Sequence, residues 1–219
     1  MIIDYHSHIK WDRDTNQYDT AALLQDMEEN QIDKRVVSAL AGFSTREQNG
    51  AVAELVKANP DRIIGSAVIN PKERGCVEEM ERIAASGYFK TMDSMEHCYY
   101  PETMPVLDTI IEIAAANHMP VNVFTGWGCR TMPAQWAYYA KRHPDMTMVL
   151  LHMGTTDFGY GCVELVPQYE NLMVETSCMY EFPILRKAFS QIPKERFLFG
   201  SHYPDKLTVC SVHTFDLLK

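Results

Sequence analysis

Met1-Ile2-Ile3-Asp4-Tyr5-His6-Ser7-His8 opens the chain and decides how the rest of the sequence is interpreted. The stretch begins with apolar residues and ends in two histidines one residue apart. Because side chains alternate across a β-strand, Asp4, His6 and His8 are expected on one face. Two adjacent imidazoles suit a cation such as zinc, and a carboxylate below them can orient a ring nitrogen. The stretch therefore predicts a metal-binding strand, with Asp4 as an orienting residue.

The two histidines are weak evidence by themselves. With 8 histidines in 219 residues, about 0.3 such pairs are expected by chance. The prediction therefore depends on whether other strands end in similar residues.

Composition limits the kinds of partner. A 219-residue chain with 46% hydrophobic residues can form one large α/β domain, and we treat residues 1–219 as a single domain. The net charge of −9 argues against binding nucleic acid or an anionic membrane surface, so a small-molecule substrate is expected. The sequence has no apolar run of membrane-spanning length and no signal-peptide pattern, which predicts a cytoplasmic protein. The six cysteines include no C-x-x-C pair and are predicted to be reduced, mostly buried small hydrophobic residues.

Strand and helix patterns alternate along the chain. Eight strand-like segments are predicted, over residues 1–8, 35–41, 62–70, 87–92, 120–125, 146–152, 172–176 and 196–200. Helical spacing lies between them, which predicts a parallel (β/α)8 TIM barrel. An open doubly wound sheet is the alternative, but no G-x-G-x-x-G follows the first strand. Residues 201–219 allow only a short last helix, so the outer helix ring is expected to be incomplete. The uncovered apolar stripe then implies a partner subunit, as in a homo-oligomer, or a truncated chain.

Active residues of such barrels lie at the carboxyl ends of the strands. His6 and His8 end the first predicted strand, His152 ends the sixth and His202 follows the eighth. A shared cation would give these imidazoles a partner, so the four are predicted to converge.

Several segments resemble the amidohydrolase-related family, in particular its aminocarboxymuconate-semialdehyde decarboxylase-like branch. They are Ile3-Asp4-Tyr5-His6-Ser7-His8, Phe89-Lys90, Val123-Phe124-Thr125-Gly126, Leu151-His152-Met153-Gly154, Val174-Glu175-Thr176-Ser177 and Phe199-Gly200-Ser201-His202-Tyr203-Pro204. The match runs in order over nearly the whole chain, up to residue 204.

The resemblance implies a divalent cation, usually zinc. In the family it is held by the two histidines of strand one, a histidine of strand five and an aspartate of strand eight, with the strand-six histidine near the activated water. His6, His8 and His152 match this pattern, whereas Phe124 and His202 stand where the family has histidine and aspartate. Since three imidazoles around zinc are a known catalytic arrangement, we expect the metal on His6, His8 and His202. His152 is expected to act as the general acid or base, or as a fourth ligand.

A carboxylate-bearing substrate would need cationic and aromatic contacts at the same rim. The predicted substrate-binding residues are Lys90, His97, Tyr100 and Arg130. The resemblance implies a metal-dependent hydrolase of C–N or C–O bonds, lactones included, or a non-oxidative decarboxylase, which is a lyase. The alternative is a barrel in which Phe124 and His202 mark a loss of catalysis, with a binding or structural role.

Overall fold

A computed structural model of the chain describes residues 1–94, 100–126 and 131–217. The strands in these ranges are β1 Ile3–Asp12, β2 Gln17–Asp19, β3 Lys34–Ala39, β4 Ile63–Ile69, β5 Phe89–Ser94, β6 Val121–Phe124, β7 Met148–Leu151, β8 Leu172–Glu175 and β9 Phe197–Leu198. The helices are α1 Thr20–Glu29, α2 Thr45–Ala58, α3 Cys76–Ser86, α4 Val106–Ala116, α5 Pro133–Arg142, α6 Thr155–Leu165, α7 Phe182–Gln191 and α8 Thr208–Asp216.

The strands form a parallel barrel. Neighbours pair in the order β2-β1-β3-β4-β5-β6-β7-β8-β9, and only the β1–β2 pair is antiparallel among these strands. The sheet returns to β1 through backbone hydrogen bonds from Tyr5 N–H to Phe199 O (2.7 Å) and from His202 N–H to His6 O (2.8 Å). Each of the eight parallel strands is followed by a helix, in the case of β1 after the short strand β2, so the predicted (β/α)8 fold is confirmed.

The hairpin of β1 and β2 is a feature that the sequence pattern did not predict. β1 continues past His8 to Asp12, and β2 pairs with this extension. Trp11 lies directly opposite Tyr18, with ring centroids 4.8 Å apart, and such cross-strand aromatic pairs stabilise short antiparallel ribbons. The hairpin therefore extends the first strand beyond the barrel rim.

The hydrophobic core lies between the strands and the helices. In α4 the buried residues are Leu107, Ile110, Ile111 and Ala114, the spacing that places side chains on one helical face. Val123 of β6 is fully buried in the same core. Burial of these apolar faces holds each helix against the barrel.

The inside of the barrel is polar. The hydroxyl of Tyr5 donates to Asn122 Oδ1 (3.0 Å), the Asn122 amide donates to Thr91 Oγ1 (3.0 Å), and the Thr91 hydroxyl donates to Ser66 Oγ (2.7 Å). Tyr5, Thr91 and Asn122 lie one or two positions before His6, Asp93 and Phe124, respectively. Hydrogen-bonded side chains thus form the floor beneath the rim.

The last helix is short, as the sequence predicts. The hydroxyl of Thr208, the first residue of α8, donates to Asp26 Oδ2 of α1 (2.6 Å), and Phe215 packs 5.5 Å from Phe199. Leu207 and Val209 remain 69% and 46% exposed. None of the described helices has the length and hydropathy needed to cross a membrane.

Candidate metal and active site

Four imidazoles meet at the carboxyl ends of the strands. His6 and His8 lie on β1, His152 directly follows β7 and His202 follows β9, and all four are buried. The His6 ring centroid is 4.7 Å from that of His8, 5.0 Å from that of His152 and 5.2 Å from that of His202. The centroids of His152 and His202 are 4.7 Å apart. Residues far apart in the sequence therefore form one compact cluster, which we call the histidine cluster.

Two sets of side chains in the described part of the chain have ligand atoms within 4.8 Å of one another. One is His6, His152 and His202, and the other is His6, His8 and Asp93. The predicted ligand trio of His6, His8 and His202 is thus divided between the two sets. Asp93, at the rim end of β5, adds a carboxylate that was not among the predicted ligands.

Glu175 and Ser177 contact the Nδ1 atoms of two of the four rings. The Nδ1 atom of His6 lies 3.2 Å from Glu175 Oε2, and the Nδ1 atom of His152 lies 2.8 Å from Ser177 Oγ. The same carboxylate accepts hydrogen bonds from the Ser177 hydroxyl (2.8 Å) and from His152 N–H (3.1 Å). A carboxylate that fixes ring orientation is a common partner of metal-binding histidines.

The charge of Glu175 is stabilised by these contacts. Burial acts to raise the pKa of Glu175, but the hydrogen bond with His6 and the electrostatic interactions with the His6 and His152 imidazoles outweigh it and lower the pKa to about 2. Glu175 is therefore a carboxylate at neutral pH.

The His8 ring contacts a different residue, Ser38. Its Nδ1 atom lies 2.8 Å from Ser38 Oγ at the end of β3. Since Nδ1 of this ring is engaged by a hydroxyl, Nε2 is the nitrogen that would bind a ligand.

Asp4 does not occupy the predicted position. Its carboxylate pairs with Arg35 Nε (2.9 Å) and accepts hydrogen bonds from the backbone N–H (2.9 Å) and the hydroxyl (2.6 Å) of Ser201. The pairing of β1 with β3 is irregular between Asp4 and Ser7, which interrupts the simple alternation of side chains. Asp4 therefore supports the backbone next to His202, whereas the carboxylate of Glu175 contacts the His6 ring.

The thiol of Cys178 also lies at the histidine cluster. Burial acts to raise its pKa, but contacts with His152 and His202 lower the pKa of the Cys178 thiol to about 7. Cys178 is free and buried, as predicted, but the lowered pKa distinguishes it from an ordinary hydrophobic side chain. Cys76 and Cys162 are also buried and Cys210 is exposed, in agreement with the prediction that most of the cysteines are buried.

Phe124 forms part of the wall of the histidine cluster. It is buried at the end of β6, with its ring centroid 5.0 Å from that of His152 and the ring planes at 71°. An aromatic side chain that cannot bind a metal thus occupies the place where the resembled family has a ligand.

The backbone is strained at three of the strand ends. His152, Cys178 and His202 have φ angles of 60°, 62° and 57°, in the left-handed region that residues other than glycine seldom adopt. Such conformations are concentrated at functional sites. The spacing of residues in the sequence does not predict these backbone conformations.

Of the predicted substrate-binding residues, the structure describes Lys90 and Tyr100. Lys90 is exposed near the start of β5, at the register irregularity between Phe89 and Thr91, and so lies away from the carboxyl end of the strand. Tyr100 is 49% exposed before a short 3₁₀ turn. His97 and Arg130 lie outside the described residues. The structure is therefore at odds with the predicted role of Lys90.

Comparison with solved structures identifies similar folds. 5-Carboxyvanillate decarboxylase from Sphingomonas paucimobilis has a TM-score of 0.72 at 15% identity, over 98% of this chain and 92% of that one. Dihydroxybenzoic acid decarboxylase from Polaromonas sp. JS666, with bound manganese and the inhibitor 2-nitroresorcinol, has a TM-score of 0.71 at 16% identity, over 98% and 90%. 4-Oxalomesaconate hydratase from Rhodopseudomonas palustris has a TM-score of 0.69 at 19% identity, over 93% and 82%. At these identities the likeness is one of fold.

The sequence itself was also compared with known families and proteins. A search of curated proteins gives no match. A family model described as amidohydrolase matches residues 3–218, which is nearly the entire chain. The chain therefore belongs to the amidohydrolase family.

Proposed function

We propose that this chain is a metal-dependent enzyme that acts on a small carboxylate-bearing molecule, as a hydrolase or as a non-oxidative decarboxylase. The observation that carries the proposal is the convergence of His6, His8, His152 and His202 on one buried rim of the barrel. Buried imidazoles need partners, and a shared cation supplies one.

The donor atoms suit a divalent cation. The Nε2 atom of His6 is buried and has no hydrogen-bond partner among the described residues. His6, His8 and Asp93 together offer two ring nitrogens and a carboxylate, a combination found in catalytic zinc sites. We assign the ion to these three residues and retain His202 as a further ligand, since its ring centroid lies 5.2 and 5.1 Å from those of His6 and His8.

Zinc is our proposal for the ion because nitrogen donors predominate. Manganese is the alternative, since a carboxylate donor also suits Mn²⁺. The dihydroxybenzoic acid decarboxylase of similar fold contains manganese. When bound, a divalent cation supplies Lewis-acid polarisation of a carboxyl or carbonyl group and lowers the pKa of a nearby water.

His152 is our candidate for proton transfer. Ser177 engages its Nδ1 atom at 2.8 Å, so Nε2 is the nitrogen that would exchange a proton with a substrate or a water. In a hydrolysis this nitrogen would take a proton from the attacking water. In a decarboxylation it would deliver a proton to the carbon that loses the carboxyl group. Both reactions need the same ring orientation.

Small carboxylated aromatic compounds are the substrate class that we propose. The names of the structural neighbours supply part of the support, since they include decarboxylases of 5-carboxyvanillate and dihydroxybenzoic acid. Release of carbon dioxide from a panel of carboxylated phenols would favour the decarboxylase, whereas hydrolysis of lactones or amides would favour the hydrolase.

Metal analysis of the purified chain is the first test. We expect about one divalent ion per chain, lost in His6→Ala and His8→Ala because each removes a ligand nitrogen. His213→Ala is the matched control, since His213 is exposed on α8, and it should retain the ion. A wild-type chain that takes up no zinc or manganese would support the alternative of a barrel without catalysis.

A further inference from the structure

Cys178 brings a sulfur donor to the histidine cluster. It lies three residues after the end of β8, and its thiol contacts the side chains of His152 and His202. Cys178 is only 9% exposed, so its surroundings are those of the cluster and not of the solvent. A thiolate is a strong ligand for soft metal ions, which oxygen donors bind weakly. The cluster therefore contains a donor that the proposed metal site does not use.

The two ligand sets of the histidine cluster differ in the type of donor. They are the carboxylate set, His6, His8 and Asp93, and the thiol set, His6, His152 and His202 with Cys178 beside the last two. With the thiol ionised, each set carries one formal negative charge among neutral imidazoles. Since the charges are equal, the choice of an ion between the sets depends on the donor atom. Soft cations prefer the sulfur, and Mn²⁺ prefers the oxygen.

His6 belongs to both sets, which makes them alternatives. Its Nδ1 atom lies 3.2 Å from Glu175 Oε2, so Nε2 is the nitrogen left for a cation. That Nε2 atom is buried and has no hydrogen-bond partner among the described residues. One imidazole nitrogen offers one lone pair and binds one ion. An ion on either set therefore prevents full occupation of the other.

Occupation of the thiol set also changes what His152 can do. Ser177 engages the Nδ1 atom of His152 at 2.8 Å, so a cation in this set binds through Nε2. This is the nitrogen to which we assign proton transfer. A ring nitrogen whose lone pair binds a cation cannot accept a proton. An ion on the thiol set therefore blocks the proton-transfer group.

We propose that Cys178, together with His6, His152 and His202, forms an alternative position for a soft cation such as Cd²⁺ or Cu⁺. The Cys178 thiol releases its proton to the solvent while its sulfur donates an electron pair to the cation, and nothing is oxidised or reduced. Zinc and Mn²⁺ remain assigned to the carboxylate set. Inhibition by the soft cation rests on the proposed function of His152, whereas the assignment of the ligands does not.

The test is a titration of the full chain, freed of metal by a chelator, with Cd²⁺ and separately with Mn²⁺. A bond between sulfur and cadmium gives an ultraviolet charge-transfer band, and Mn²⁺ binding is followed by electron paramagnetic resonance. We expect the band in the wild-type chain and its loss in Cys178→Ser. This variant should bind Cd²⁺ more than about 100-fold more weakly, the upper end of the cost of losing an outer partner of a ligand. Its affinity for Mn²⁺ should be unchanged.

Replacing single ligands distinguishes the two positions. His8→Ala should weaken Mn²⁺ binding and keep the cadmium band, because His8 belongs to the carboxylate set alone. His6→Ala should weaken the binding of both ions, because His6 belongs to both sets. Cys210→Ser is the matched control, since Cys210 is an exposed thiol on α8, and it should keep the band. Thermal unfolding of each metal-free variant is recorded in parallel.

Absence of the band from the wild-type chain would overturn the assignment of Cys178, whatever the variants do. The same holds if the band survives in Cys178→Ser, or if it disappears in His8→Ala. A chain that shows the cadmium band but takes up neither zinc nor Mn²⁺ would contradict the proposed function alone. A chain that binds Mn²⁺ and shows no cadmium band would contradict the alternative position alone.

Discussion

Glu175 contacts three residues of the histidine cluster and its surroundings. Its carboxylate contacts the His6 ring, the His152 backbone and the Ser177 hydroxyl that in turn holds the His152 ring. It is fully buried, so no solvent replaces these contacts if they are lost. Glu175 is therefore a positioning residue that acts through His6 and His152.

Replacing Glu175 by Gln should weaken metal binding by about 10- to 100-fold. The amide keeps the shape of the side chain but removes the negative charge that orients His6 Nδ1. The affinity can be measured by competition with a chromophoric chelator, with thermal unfolding recorded in parallel. Glu170→Gln is the matched control, since Glu170 is exposed in the loop before β8, and it should leave metal affinity unchanged. Equal metal affinity in Glu175→Gln and the wild type would show that the carboxylate does not position the ligands.

The contrast between Asp4 and Glu175 shows what sequence reasoning can and cannot find in this site. Counting back from His6 by two residues selects Asp4, which would be correct for a regular strand. The pairing of β1 with β3 is irregular at this point, and Asp4 contacts Arg35 instead. No local sequence pattern predicts that irregularity. Glu175 offered a weaker signal, a carboxylate at the end of an otherwise apolar strand.

At the scale of elements, a group of hydrogen bonds joins α2, α3 and β4. The Asn49 amide of α2 donates to Val68 O (2.9 Å) and to Glu79 Oε1 of α3 (2.9 Å), and Val68 N–H donates to Asn49 Oδ1 (2.8 Å). Arg82 Nε donates to Glu79 Oε2 at 2.8 Å. Burial acts to raise the pKa of Glu79, but hydrogen bonds from Arg82 and Asn49 and the positive charges of Arg82 and Arg46 lower it overall. The ionised form of Glu79 therefore stabilises the packing of two helices on one strand.

The variant Glu79→Gln should lose about 1–3 kcal/mol of stability at neutral pH. Because the pKa of Glu79 is lower in the folded chain than in the unfolded one, its contribution is present above the usual glutamate range and is lost as the pH falls through it. The difference from the wild type should accordingly shrink at an acidic pH below the usual glutamate range. Denaturant midpoints at both pH values measure this, with Glu78→Gln as the control at an exposed position of the same helix. A difference that stays constant with pH would contradict the assignment.

The order of elements was predictable because it depends on local periodicity. All eight predicted strands appear in the structure within a few residues of their predicted bounds, since the apolar runs and the helical spacing between them are read over short windows. The β1–β2 hairpin was missed because β2 has only three residues and Trp11 pairs with Tyr18 across an intervening turn.

At the scale of the whole molecule, the histidine cluster exists only because the barrel closes. His6 and His202 are brought together where the chain after β9 pairs with β1. Arg35 lies behind this seam, and it pairs with Asp4 of β1 and Asp26 of α1 and donates to Thr208 Oγ1 of α8 (2.9 Å). Its guanidinium also lies 4.8 Å from the centroid of the Tyr203 ring. One buried cation thus connects the first strand, the first helix and the last helix.

Replacing Arg35 by Met should destabilise the chain by about 3–5 kcal/mol, because it leaves the buried carboxylate of Asp4 without its cation. Since Asp4 also accepts two hydrogen bonds from Ser201, the loss should reach His202 and weaken metal binding as well as stability. Urea unfolding gives the first quantity and metal titration of the folded variant gives the second. Arg186→Met removes an exposed arginine and should change neither the stability nor the metal binding.

A loss of stability below about 1 kcal/mol in Arg35→Met, the value of a surface ion pair, would mean that closure of the barrel does not depend on Arg35. Loss of stability with unchanged metal binding would instead mean that the segment carrying His202 is held by its backbone pairing with β1 alone.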